Sequence, residues 1–176
     1  LETAQTARTI NELSTVIRLC ERVINANPGN NLAPFARRLA AWAHNRRGEL
    51  LIEADQAADA LDQFQAAIEL DPQNSLAIHN RAVTLAQQND FDAALIDFNR
   101  VIELNPGLAI AYRNRGELLA AQGKLDDAIA DYSRAIESLP DDAELRRARA
   151  HALQQQDQFE LARSDLDRSI QIAPNE

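Results

Sequence analysis

The residues with the plainest chemical capacity fall on a fixed interval. Arg47, Arg81, Arg115 and Arg149 stand 34 residues apart, and sixteen residues after the last three come Asp97, Asp131 and Asp165. After Arg47 the same position holds Gln63. A guanidinium and a carboxylate on neighbouring elements form an ion pair that fixes register more than it adds stability. The alternative is that these arginines face a ligand. A second series, His79, Arg113 and Arg147, keeps the 34-residue interval, with Asn80 and Asn114 beside its first two members. Arginine suits bidentate capture of a carboxylate, and asparagine can hold a peptide backbone through both of its polar groups.

Catalytic chemistry finds little support. His44, His79 and His151 have no neighbouring nucleophile and no metal-ligand spacing, and there is no glycine-rich phosphate loop. The chain therefore reads as no enzyme, with no cofactor and no metal. The single cysteine, Cys20, lies among Ile17, Leu19, Val23 and Ile24, a setting for a small buried hydrophobe rather than a reactive thiol.

Charge narrows the partners. The net charge of −9 disfavours phosphate backbones and anionic lipid, so neither nucleic acid nor membrane is expected. The basic stretches RARAHALQ and AHNRR lack the interleaved aromatics of a nucleic-acid surface. No apolar run reaches the roughly 18 residues of a membrane span, so membrane insertion is not expected. The chain starts at Leu1 and has no methionine, which points to a piece of a longer polypeptide, so the sequence leaves open whether a targeting segment preceded it. The compartment stays unknown, with a cytoplasmic location as the default expectation.

The elements that carry these residues repeat with them. Pro72, Pro106, Pro140 and Pro174 share the 34-residue spacing, as do Leu51, Leu85, Leu119 and Leu153. So do Ala60, Ala94, Ala128 and Ala162, and Ile68, Ile102, Ile136 and Ile170. Each copy reads as two helices. In residues 109–142, Ala111, Tyr112, Arg115, Gly116, Leu118 and Leu119 recur at helical intervals, Gly123 interrupts, and Leu125, Ala128, Ile129, Tyr132, Ala135 and Ile136 mark a second face before Pro140. The breaker column is Asp55, Asn89, Gly123 and Asp157, which can turn the chain and cap the following helix.

A 34-residue helix–turn–helix resembles the tetratricopeptide repeat. The likeness rests on small residues at Gly48, Ala82, Gly116 and Ala150, large ones at Phe64, Phe98, Tyr132 and Leu166, and the closing prolines. The resemblance covers residues 41–174. It implies an all-α, right-handed α-solenoid of stacked antiparallel helix pairs, about nine helices in a single domain over 1–176. Residues 1–30 would hold a helix like half a repeat, closing at Pro28. The repeats follow at 31–74, 75–108, 109–142 and 143–176. Ten extra residues between Pro28 and Pro72, with Pro34 suited to a helix start, predict a first helix of the 31–74 repeat extended from near 33 to about 54. In the last helix, Arg163 and Ser169 replace apolar residues, which suggests a partly polar end face. Such an end is expected to be a natural terminus or an edge covered by another chain.

The resemblance also implies a function. In that family the first helix of each pair lines a concave groove and its variable side chains choose a peptide. The matching positions here include Asn45, Glu49, His79, Asn80, Val83, Arg113, Asn114, Glu117, Arg147 and His151. The series His79, Arg113 and Arg147, with Asn80 and Asn114, resembles the clamp with which some members grip a terminal carboxylate, although those clamps use lysine. A protein-interaction scaffold binding a partner's peptide is the expectation. The alternatives are a homo-oligomerisation module, with Trp42, Arg37 and Arg38 on a projecting helix, or the regulatory portion of a larger protein with a catalytic domain elsewhere. A mixed solvated surface at the groove, and core packing of Trp42, remain open beside these readings.

Overall fold

The computed structural model describes residues 9–26, 29 and 31–174. They form nine helices with no strand among them. The chain divides into two compact units, 1–90 and 91–176, so the boundary falls inside the 75–108 repeat. The first unit holds α1 (Ile10–Ala26), α2 (Ala33–Glu53), α3 (Ala57–Leu70) and α4 (Ser75–Gln87). The second holds α5 (Phe91–Leu104), α6 (Ala109–Ala121), α7 (Leu125–Ser138), α8 (Ala143–Gln155) and α9 (Phe159–Ile172).

In the first unit, α1 starts at a capping box. The Thr9 hydroxyl accepts from the Glu12 amide at 3.2 Å, and the Thr9 amide donates to the Glu12 carboxylate at 3.0 Å. One face of α1 (Leu13, Val16, Ile17 and Cys20) then buries against Ala36, Ala40 and Ala43 of α2. Burial raises the Cys20 thiol pKa, as expected of an inert core cysteine. Helix α2 begins at Ala33 with Pro34 in its first turn, which is where the ten extra residues placed it. Trp42 is half-buried against the α1–α2 core, so it packs and does not project. The Pro28 closure lies outside the described residues.

The turns inside the helix pairs have one geometry. Asp55, Asn89, Gly123 and Asp157 take φ values of 59°, 64°, 74° and 59°. The amide after each donates 2.9 Å back to the carbonyl of Leu51, Leu85, Leu119 or Leu153, the reach that seals a helix end when the next residue is left-handed. The leucine column therefore marks a carbonyl as well as a side chain. Asp55, Gly123 and Asp157 turn the chain but do not cap the next helix: α3, α7 and α9 have Gln56, Lys124 and Gln158 at their N-caps, without a side-chain cap bond. Side-chain caps are found between repeats, where Asn74 accepts from the Ala77 amide and Asp142 from the Leu145 amide.

Small residues on first helices let second helices lie close. A Cβ on Gly48 would fall 2.4 Å from the Phe64 ring, and one on Gly116 would fall 3.0 Å from the Tyr132 ring. In the 143–176 repeat, Ala150 and Leu153 bury with Ala162, and Leu166 packs beside them. Of the two polar replacements in α9, Arg163 is exposed, but Ser169 is buried and donates to the Leu166 carbonyl at 2.8 Å. The helix meanwhile exposes Phe159, Leu161 and Ile170, so its outer face is less polar than the replacements suggested.

Candidate functional site

Arg115 and Arg149 form the interhelical pairs that the spacing suggested. Arg115 on α6 donates from Nε and Nη2 to both Asp131 oxygens on α7, each at 2.7 Å, and from Nη1 to Asn99 on α5 at 2.6 Å. Arg149 on α8 repeats this with Asp165 on α9 at 2.7 Å and Ser133 on α7 at 2.9 Å. Each fork therefore joins the second helix sixteen residues ahead to the one sixteen behind. The two aspartates are buried, which makes these pairs structural and removes them from the ligand face. In the first unit Arg81 donates to Gln65, sixteen residues behind it. Arg47 lacks the fork: its Nε is buried without a partner, and Gln63 bonds the His44 ring at 2.9 Å instead.

The predicted binding residues occupy the first helices, and in each unit some of them gather into a polar cluster: Asn45, Glu49 and Asn80 in the first, Arg113 and Glu117 in the second. In the first unit, Glu49 on α2 is the hub. It accepts from Asn45 at 2.9 Å, Arg46 at 2.6 Å and, across to α4, Asn80 at 3.2 Å. Asn80 also donates to Asn45 Oδ1 at 3.0 Å. Asn45 is buried, so it props the cluster from below and is not a contact surface. Val83 is half-buried on the next turn of α4. His79 is held below its ordinary pKa by burial, against a raising hydrogen bond with Asn80, and is therefore neutral at pH 7.

In the second unit the hub is a cation. Arg113 on α6 donates to Glu117 on its own helix at 3.0 Å and to Glu144 on α8 at 2.8 Å. These bonds raise its pKa, Glu117 contributing most. Asn114 and Arg147 are half-buried, and both already make polar interactions. His151 is exposed, with Gln155 Nε2 at 3.2 Å from its Nδ1. Arg113 thus enters the site with two carboxylates on it, so it is not the open donor that a clamp for a terminal carboxylate would offer. Glu144, one of the first-helix positions facing the groove by sequence, completes the second cluster; Arg46, three residues before Glu49, completes the first and lay outside the sequence-derived set. The links between helices share a register: Glu49 to Asn80 and Arg113 to Glu144 are both 31 residues, one repeat less one helical turn.

A repeated helix pair, a small-to-large contact between its two helices and polar first-helix faces joined at one register together specify the family. The Tetratricopeptide repeat family matches residues 45–109, 79–143 and 113–176. The chain is a member of the tetratricopeptide repeat family. No curated protein sequence matches it. Among solved structures, MamA (41-end) from Desulfovibrio magneticus RS-1 is similar at 15% identity and TM-score 0.73, covering 93% of this chain and 96% of that one. YrrB, described as a TPR protein with an unusual peptide-binding site, is similar at 22% identity and TM-score 0.72, covering 95% and 81%. The first TPR of Spaghetti (RPAP3), solved with the HSP90 peptide SRMEEVD, is similar at 27% identity and TM-score 0.63, covering 65% and 90%.

As a tetratricopeptide repeat protein, the chain builds its polar surface from side chains that the packing leaves over. Among the described residues no group of three His, Cys, Asp or Glu is placed to hold a metal ion, and no helix is long and apolar enough to cross a membrane.

Proposed function

We propose that the chain is a protein-interaction scaffold whose first helices hold a peptide segment of a partner. The observation that carries this reading is the pair of linked first-helix faces. Within each unit, neighbouring first helices share a polar surface, joined by Asn80 to Glu49 in one and by Arg113 to Glu144 in the other. The first helices bury their small and apolar residues against neighbouring helices, which leaves these polar faces for recognition. The peptide bound to the TPR of Spaghetti, and the peptide site for which YrrB is described, support the same use of the fold.

The ligand chemistry follows from Arg113. Glu144 is 60% exposed and holds the guanidinium through one contact, so a peptide carboxylate can take its place at little desolvation cost. Removing Glu144 as competitor with Glu144→Gln is expected to tighten a carboxylate-bearing peptide. Arg113→Ala is expected to weaken it by roughly 1.5–3 kcal/mol, the worth of a charged hydrogen bond.

The decisive experiment screens a peptide array against the wild-type chain and against the His79→Ala, Arg113→Ala, Arg147→Ala triple variant. Binding lost in the variant at unchanged melting temperature supports the scaffold reading. Peptides that bind both proteins equally would place recognition elsewhere.

A further inference from the structure

The first unit carries an apolar hollow that the first-helix faces do not use. It lies between α1 and the opening turns of α2, is lined by Leu19, Val23, Leu32, Phe35 and Leu39, and encloses about 280 Å³. Leu19 is 50% exposed, Leu32 59% and Phe35 40%, a concentration of large open hydrophobes that isolated surface residues do not produce. We propose that this groove is the seat of an acidic amphipathic helix from a partner protein.

The fold itself says that the seat suits a helix. Later in the same unit, a second helix (α3) is followed by a first helix (α4), and α2 lies against both, burying Ala41, Ala67 and Ala77 together. Helices α1 and α2 are the same kind of consecutive pair, and no described helix covers their open side. The wall from Leu32 to Leu39 runs roughly 10 Å along α2, so an occupant of two to three turns fills it.

Charge says which helix. Residues 10–47 carry six arginines and two glutamates, in a chain whose net charge is −9. Arg18, Arg22, Arg37 and Arg38 close no ion pair among the described residues. Arg22 lies one turn from Leu19, and Arg38 one turn from Phe35, so cations border the apolar strip on both helices. A partner with an apolar stripe flanked by Glu or Asp meets both features. A second copy docking through the same patch would set arginine against arginine. A membrane would need an apolar face that projects, and this one is recessed between two helices.

The test uses three fluorescently labelled helical peptides with one shared leucine stripe and Glu, Gln or Lys on the remaining face, measured by anisotropy. The Glu peptide is expected to bind, more weakly as salt is added, with the Gln peptide weaker and the Lys peptide absent. Leu19→Ala with Phe35→Ala should cut affinity by about tenfold or more. Arg22→Gln with Arg38→Gln, surface changes that leave the core intact, should lower both the affinity and its salt dependence, while Asn80→Ala should leave both unchanged. The proposal is overturned if the Glu peptide does not bind, if the Lys peptide binds as well, or if neither double variant matters. Three further outcomes overturn it by assigning another occupant. One is binding of the wild type to phosphatidylserine vesicles that the Leu19 and Phe35 variant loses. Another is a sedimenting dimer that the same variant dissolves. The third is Glu-peptide binding that appears only after residues 1–8 are removed.

Discussion

Arginines of the second unit and those at the start of the first are used in opposite ways. In the second unit, Arg115 and Arg149 fork onto buried aspartates, Arg113 holds two glutamates, and Arg100, Arg134, Arg146, Arg163 and Arg168 each reach a carboxylate. On α1 and the first turns of α2, Arg18, Arg22, Arg37 and Arg38 reach none among the described residues. A paired, buried guanidinium sets helix register and is unavailable to a partner. An unpaired exposed one adds almost nothing to folding and keeps its full field for association. One half of the chain thus puts its arginines into the repeat, and the start of the other leaves them on the outside.

The strongest way to break this comparison is to remove a carboxylate from a fork. Asp131→Ala leaves Arg115 half-buried with Asn99, the Tyr112 ring 5.8 Å away and the weaker field of Asp127. The expected loss is about 3 kcal/mol, with Asp131→Asn close behind, because an uncompensated charge remains between the helices. Urea unfolding reads it. Arg22→Ala or Arg38→Ala should stay within about 0.5 kcal/mol of wild type. A loss at Arg22 equal to that at Asp131 would erase the distinction between the regions.

Packing gives the next effect, now comparing the two glycines. Gly48→Ala drives a methyl to 2.4 Å from the Phe64 ring, whereas Gly116→Ala meets Tyr132 at 3.0 Å. Overpacking of this kind costs roughly 1–3 kcal/mol, and the first substitution should lie at the upper end and the second at the lower. Thermal melts of both proteins would show it, and a reversed order would mean that the Phe64 ring swings aside more easily than the Tyr132 ring.

These contacts also separate what could be read from the sequence from what could not. The helix pairs and the Arg115 and Arg149 forks were legible because each is set by spacing that repeats, and a period survives without coordinates; the early start of α2 was legible because ten residues beyond the period and Pro34 mark it. The polar clusters were legible only in membership. Nothing in a 34-residue column says that Asn45 turns inward, or that Arg113 meets Glu144 one turn short of a full repeat, because both depend on how far adjacent first helices slide past each other. The α1–α2 groove escaped altogether, since it lies where the period is broken and no second copy exists to compare. The Thr9–Glu12 capping box was a local signal, visible in the run TINE and not read.

The broken member of the arginine column can be repaired. Gln63→Asp places a carboxylate sixteen residues after Arg47, at the position Asp131 holds relative to Arg115. Arg47 Nε, now buried without a partner, gains one. A stabilisation of about 1 kcal/mol is expected, reduced by whatever the His44–Gln63 bond contributes. An unchanged or lower melting temperature would show that the histidine contact is the stronger use of that position.

The smallest effect is in pH, and it belongs to the same spot. His44 is held below its ordinary pKa first by burial, with Arg47 also lowering it, while the Gln63 hydrogen bond and Glu21 pull the other way. A histidine whose folded pKa lies below its unfolded value contributes stability that is present above the unfolded pKa, near 6.5, and lost as pH falls through the folded one. Stability of the wild type should therefore decline as the solution is acidified below about pH 6.5, more steeply than that of His44→Gln. His79, lowered by burial too, keeps part of the slope in that variant. In Gln63→Asp the new carboxylate favours the imidazolium, so the acid loss at His44 should shrink or change sign. Parallel urea titrations at pH 5 and pH 7.5 on the three proteins decide it, and identical slopes would mean that His44 is solvated in the folded chain.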